Sequence, residues 1–312
     1  MSPYTVVTTE GLEADPMAWL KQQVTVIELS MKEPARWDAA LAQADGIIVR
    51  TYTQVNRALI ARAPRLKVVG RAGVGLENID QSACAAAGIK VISTPHANTN
   101  AVREYVFNLI FALGRPIIRL TEPVDPDTFH AYRRTSRGLE LFGLTLGVLG
   151  MGRLGRAVSR TALAMGMKVI YNDVVDVSPD VDFPAESVAL DELLRRADIL
   201  TIHVSHRPGN RHFINAARLK LMKPTALLIN TARGEVIDAG ALADAIESQR
   251  LAGAALDVHD PEPPRPDYPL WHLDRVILAP HLAARTQGAM DAMSWVARDV
   301  VEYLRTQAPR AM

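Results

Sequence analysis

Four stretches of this chain hold residue types that do chemistry. Gly150-Met151-Gly152-Arg153-Leu154-Gly155 is a G-x-G-x-x-G run, and Asp173 follows its last glycine by 18 positions. Arg233 stands at the end of Leu228-Ile229-Asn230-Thr231-Ala232-Arg233. Glu262 lies among prolines in Asp260-Pro261-Glu262-Pro263-Pro264, and His281 follows Leu278-Ala279-Pro280. A glycine turn that opens a helix offers backbone amides and the positive dipole end to a pyrophosphate. An acidic residue about 20 positions on accepts hydrogen bonds from ribose hydroxyls and repels a 2′-phosphate. Val174-Val175-Asp176-Val177 supplies no cation for such a phosphate, so the pattern favours NAD over NADP. The planar fork of Arg233 suits a carboxylate. A histidine that meets a glutamate has its pKa raised and its ring oriented. It can then give a proton to a carbonyl oxygen or take one from a hydroxyl. Read singly, each residue also fits a plainer place: Arg233 a surface strand end, His281 a satisfied structural site, Glu262 a loop.

These residues need elements to hold them. Short apolar runs alternate with helix-type spacing along the whole chain, which predicts parallel sheets with helices on both faces. The expected strands are 4–8, 24–29, 46–49, 66–69, 91–93, 144–149, 168–172, 199–203, 226–230, 253–257 and 275–278. The glycine run then sits where its chemistry requires, between the strand at 144–149 and a helix, with Asp173 closing the next strand. Arg233 and His281 follow strand ends, where ligands bind in such sheets. Ser93–Asn98 and the proline-rich 260–267 read as hinges. A last helix is expected over about Thr286–Arg305, free to cross back over the N-terminal half.

The 312 residues allow about two domains, with 48% hydrophobic and 22% charged residues, the soluble globular range. Net charge is +1, so bulk charge would hold neither nucleic acid nor a membrane surface. One cysteine, Cys84, excludes an intramolecular disulfide and a cysteine-built metal site, which suits a cytoplasmic protein. The N-terminal residues lack a signal-peptide pattern, and no apolar run reaches 18 residues. His203, His206 and His212 lie close in sequence, but no carboxylate joins them, so no metal site is expected.

Taken together, GMGRLG with Asp173, NTARG at 230–234, ALDV with Glu262-Pro263 and APHLAA at 279–284 resemble the D-isomer-specific 2-hydroxyacid dehydrogenase family. GRAGVGLENID at 70–80 and TPHANTNAVREY at 94–105 extend the resemblance over nearly the whole chain. It implies two α/β domains with Rossmann-like or flavodoxin-like parallel sheets, the NAD domain inserted into the substrate domain. On that pattern residues 1–97 begin the substrate domain, 98–284 form the NAD-binding domain and 285–312 return to the first. The resemblance makes Arg233 the holder of the substrate carboxylate, His281 the general acid/base and Glu262 its partner. Gly73, Val74 and Gly75 would offer amides to the carboxylate. Thr231 and Ala232 would touch NAD through backbone, as Gly150, Gly152, Arg153, Leu154 and Gly155 do, and Asp257 would face the nicotinamide carboxamide. Hydride would pass between nicotinamide and substrate as His281 moves the proton, in a homodimer paired through 98–119.

Glu262, where formate dehydrogenases of the superfamily carry glutamine, points to hydroxyacid/ketoacid chemistry. Residues 45–69 look most like D-3-phosphoglycerate dehydrogenases, here without a C-terminal regulatory domain, so serine feedback is not expected. Arg50 either reads a second anionic group, as in 3-phosphoglycerate, or belongs to the common scaffold. The resemblance therefore implies an NAD-dependent D-2-hydroxyacid dehydrogenase acting on an anionic C3 acid such as 3-phosphoglycerate; the alternatives are a glyoxylate/hydroxypyruvate reductase and, in a different class, an NAD-sensing scaffold like the C-terminal-binding-protein corepressors. One stretch departs from the family: Ser205 and His206 replace the usual Pro-Leu of an HxPLT-type loop.

Overall fold

The structure is a computed structural model and describes residues 3–30, 32–115 and 117–307. The chain divides into two compact units, Met1–Asn98 with Ala284–Met312, and Thr99–Ala283.

The first unit is a five-stranded parallel sheet built from β1 (Thr5–Thr8), β2 (Thr25–Glu28), β3 (Gly46–Val49), β4 (Val68–Arg71) and β5 (Lys90–Ser93). Its order, β2-β1-β3-β4-β5, is the flavodoxin-like doubly wound order. Between the strands run α1 (Ala14–Gln23), α2 (Trp37–Leu41), α3 (Arg57–Ala61) and α4 (Gln81–Ala86). Strand β4 extends past the apolar run at 66–69, because Gly70 and Arg71 pair with Ile48 and Val49. A glycine and a cation look like a strand's end in sequence, and here the ladder carries them.

In the second unit β6 (Thr145–Leu149), β7 (Lys168–Asn172), β8 (Glu186–Ser187), β9 (Ile199–Ile202), β10 (Leu227–Asn230), β11 (Gly253–Leu256) and β12 (Val276–Leu278) form one parallel sheet. The order β12-β11-β10-β9-β6-β7-β8 reverses at β6, the Rossmann arrangement. β8 escapes the sequence pattern, since two exposed residues carry no periodicity. One face packs against α5 (Thr99–Gly114) and, beyond α6 (Pro126–Thr135), against α7 (Arg153–Ala164). The other carries α8 (Leu190–Arg196), α9 (Ala216–Leu219) and α10 (Ala239–Glu247). The proline stretch 260–267 is no boundary: it lies inside this unit, between β11 and β12.

The chain then re-enters the first unit as α11 (Gln287–Ser294) and α12 (Val296–Thr306), broken at Trp295 where one continuous helix was expected. Val296, Val300, Val301 and Leu304 of α12 are buried with Val6, Ile48 and Val68 of the sheet. Each such side chain contributes about 1.5–3 kcal/mol on leaving water.

Candidate active site

The glycine turn follows directly from β6, whose Leu146–Leu149 are buried. Gly150 takes φ +95°, a left-handed conformation that costs glycine little, and its amide donates to the carbonyl of Asn172. A Cβ on Gly155 would stand 2.2 Å from the Gly150 carbonyl oxygen, so only glycine lets α7 start this close to the turn. Gly152 caps α7 in extended backbone, and a Cβ there would enter open space above the helix start. That open cradle, with first-turn amides that have no intrahelical acceptor, fits a pyrophosphate. Arg153 begins the helix at the surface, and Leu154 packs into the unit's core, so its part in such a cradle is its backbone.

Asp173 follows β7 and is half-buried. Its Oδ2 accepts from Met151 N at 2.8 Å and its Oδ1 from Val175 N at 3.2 Å. The carboxylate is thereby fixed at the lip of the turn, with lone pairs left for ribose hydroxyls. If it fills that role, Asp173→Ala narrows the preference for NADH over NADPH by about tenfold to a hundredfold. Fluorescence titration with both dinucleotides measures this directly.

β9 and β10 are neighbours, so the residues after them lie side by side. Buried Asn230 makes the turn: its Oδ1 accepts from Ala232 N at 3.0 Å and its Nδ2 donates to the Arg233 carbonyl at 2.9 Å. The Ala232 amide is thus committed within the protein, and its carbonyl accepts from Arg233 Nη1 at 2.6 Å. Thr231 is buried and its Oγ1 has no partner among the described residues; the same holds for Nδ1 of His203. Burial pushes His203 down to about 3, so the ring stays neutral. Two such orphaned polar atoms at adjacent strand ends fit a site completed by a bound group.

His281 sits just beyond β12 at φ +56°, a sparsely populated conformation for which histidine is one of the more tolerant residues. Its backbone is tied to the Asp257 carbonyl at 2.9 Å. Nδ1 meets Glu262 Oε1 at 2.6 Å, which leaves Nε2 as the second ring nitrogen. The Glu262 hydrogen bond raises the imidazole above its ordinary range against the lowering effect of burial; the charges of Glu262 and Asp257 add to the rise and that of Arg233 opposes it. Burial alone would raise the Glu262 carboxyl, but the His281 hydrogen bond and charge hold it below its usual range. Asp257 is fully buried, and its oxygens accept from Leu282 N at 2.7 Å and Ala283 N at 2.8 Å. Its geometry therefore fixes the loop that presents His281, while burial raises its carboxyl.

His259, buried two residues after Asp257, bonds its Nε2 to the Ala279 carbonyl at 2.9 Å and stacks edge-on against Tyr268. This pins the start of the Glu262 loop to the approach of His281. Asn230 stood in the NTARG stretch without a role of its own, and His259 was visible only as a polar interruption of an apolar run, a signal too common to single it out.

The first unit holds the remaining candidates. Arg71 Nε donates to the Gly75 carbonyl at 3.0 Å and Nη1 to that of Ala72 at 2.7 Å. Thr94 N donates to the Gly73 carbonyl. With these carbonyls turned inward, the amides of Val74 and Gly75 have no acceptor among the described residues, a cradle suited to a carboxylate, whereas the Gly73 amide, expected to join them, donates to the Arg71 carbonyl at 2.8 Å. Arg50 is 8% exposed; Nη1 donates to the Gly11 carbonyl at 3.1 Å, and Nη2 lies 3.0 Å from Met290 Sδ. Burial, followed by the charge of Arg285, lowers its pKa. Glu10 was not foreseen: its carboxylate accepts from the amides of Arg50, Thr51, Tyr52 and Thr53 and so shapes this loop.

Comparison with known proteins shows the family. Residues 107–283 match the D-isomer specific 2-hydroxyacid dehydrogenase, NAD binding domain. The D-3-phosphoglycerate dehydrogenase of Methanocaldococcus jannaschii is 40% identical over 268 residues, 85% of this chain and 51% of that protein. The chain spans about half the length of the phosphoglycerate dehydrogenases it matches. The hydroxypyruvate reductase of Thermotoga maritima is 37% identical over 251 residues, covering 80% of this chain and 81% of its own. Among solved structures, a D-lactate dehydrogenase from Aquifex aeolicus in complex with NAD and lactic acid superposes with a TM-score of 0.78. It is 28% identical, over 97% of this chain and 94% of that one. The chain belongs to the D-isomer-specific 2-hydroxyacid dehydrogenase family and carries its NAD-binding domain.

Proposed function

We propose that this protein interconverts a D-2-hydroxyacid and its 2-ketoacid, and the 2.6 Å His281–Glu262 pair beside Arg233 is the observation that carries the reading. Bound NAD supplies the hydride acceptor, and NADH the donor. Arg233 holds the substrate carboxylate and polarises the keto oxygen. The amides of Val74 and Gly75, beside Gly73, are a second carboxylate cradle. In reduction the imidazolium of His281 gives its Nε2 proton to the developing alkoxide; in oxidation the neutral ring takes it back. Glu262 keeps the ring oriented and stabilises its charged form. Thr231 and Ala232 line the cofactor side, and Asp257 secures the His281 loop.

The burial of Arg50 and its bonds to Gly11 and Met290 favour a small ketoacid such as glyoxylate or hydroxypyruvate over a phosphorylated C3 acid. The test is NADH consumption with glyoxylate, hydroxypyruvate and 3-phosphohydroxypyruvate, in the wild type and in Arg50→Ala. Equal losses on all three leave Arg50 as scaffold; a loss confined to the phosphorylated acid shows that it reads the second anion. No consumption, with NAD-dependent peptide capture instead, would favour the corepressor-like reading.

The same reading includes a homodimer in the cytoplasm. Phe111, Ile118, Leu120, Phe129, Tyr132 and Phe142, all within residues 111–142, are exposed, and a second copy would cover such apolar side chains. Cys84 is buried and unpaired. No helix among the described residues is long and apolar enough to cross a membrane.

A further inference from the structure

The connection from β9 to α9, residues 203–215, is the stretch that departs from the family pattern, and its side chains reach both turns that hold the reacting groups. On one side His206 Nδ1 lies 2.5 Å from Glu235 Oε1, two residues past Arg233. His212 N also donates to the Glu235 carbonyl at 2.7 Å, and Ile214 N to that of Val236 at 2.8 Å. Both ends of Glu235, side chain and backbone, are therefore gripped by this connection. On the other side Arg211 Nη1 lies 2.9 Å from Asp260 Oδ2, two residues before Glu262. The two turns also touch directly: a Cβ on Gly234 would stand 2.0 Å from the backbone carbon of His259. With no slack between them, a displacement of one turn is passed to the other.

We infer that His206 and Arg211 are positioning residues, which strap the Arg233 turn to the Glu262 loop and so set the placement of Arg233 against the His281–Glu262 pair. This rests on the dehydrogenase reading given above. His206 acts through Glu235 on Arg233, and its effect falls on substrate binding. Arg211 acts through Asp260 on Glu262, and its effect falls on the proton held by His281. The two ion pairs are exposed on at least one side, so neither adds much to stability. Misplacing a catalytic group by a fraction of an ångström costs far more in rate than the strap contributes to folding.

The experiment compares wild type with His206→Leu, Arg211→Met and Arg211→Lys. His206→Leu is expected to raise KM for the ketoacid about fivefold, with the pH midpoint of reduction unmoved. Arg211→Met is expected to lower that midpoint by about half a pH unit with little change in KM, and Arg211→Lys to restore it. NADH affinity should stay at the wild-type value in all three. The idea is overturned if wild type turns over while both substitutions leave KM and midpoint unchanged. Equal loss of NADH affinity and Tm in both would also overturn it, since that marks a general structural role. The His281 ring is titrated by NMR in parallel: its pKa should fall in Arg211→Met whether or not any ketoacid is reduced. A missing activity thus counts against the dehydrogenase reading alone, and an unmoved His281 titration against the strap.

Discussion

His281→Gln should lower kcat for ketoacid reduction by about 10²–10⁴-fold while NADH binding, followed by fluorescence, is retained. The substitution removes the ring proton that Nε2 would give and leaves the glycine turn and Asp173 untouched. The pH dependence gives the sign. The His281 pKa is raised above the ordinary 6.5, chiefly by the Glu262 hydrogen bond. On the proposed mechanism reduction needs the imidazolium, so kcat/KM should be flat at low pH and fall as pH rises through that raised value. Oxidation of the hydroxyacid needs the neutral ring and shows the opposite limb. Glu262→Gln removes the largest cause of the rise together with the Glu262 charge, and leaves burial and the Arg233 charge opposed only by Asp257, so the midpoint of the reduction limb moves to lower pH. A midpoint that stays in place in Glu262→Gln would show that the limb belongs to another group.

Arg233→Met should reduce kcat/KM for the ketoacid by about 30-fold to several thousandfold, the range of about 2–5 kcal/mol for truncating one partner of a hydrogen-bonded charge pair. Arg233→Lys keeps the charge but loses the planar fork, and is expected to recover only part of that loss. The substitution to Met carries a second signature. The charge of Arg233 lowers the His281 pKa, so its removal moves the reduction midpoint upward, opposite to Glu262→Gln. Steady-state kinetics across pH on the two variants separates the two effects, and shifts in the same direction would contradict the assigned geometry.

Much of this site is legible in the sequence because backbone geometry constrains it. Gly150, Gly152 and Gly155 are imposed by a turn and a helix start, and Asp173 by the end of the next strand. Arg233, Glu262 and His281 can be placed because each follows a strand of a parallel sheet, where chain order fixes which ends lie together. The residues that hold them were not legible. Glu235, His259 and Asp260 act through hydrogen bonds and ion contacts with partners far along the chain, such as His206, Ala279 and Arg211, and no local period marks them. Arg50, which the sequence left open between a second anion and the common scaffold, turns its donors to Gly11 and Met290, the latter in a helix that follows the whole second unit. The break at Trp295 and the two-residue β8 are tertiary outcomes with no composition of their own.

The placement of α12 also bears on how the chain emerges during synthesis. Strands β1–β5 are complete once residue 93 is made, yet on one face of their sheet Leu20 of α1 is joined by Val296, Val300, Val301 and Leu304, which come far later. At about 5–20 residues per second, that face waits on the order of 10–40 s for its helix while the entire second unit is translated. The unit that starts first is therefore the last to close, and the inserted one can be fully packed beforehand. A nascent chain from which α12 has yet to emerge would present a finished nucleotide fold and a first sheet covered on one face only in part, a state suited to a holdase chaperone.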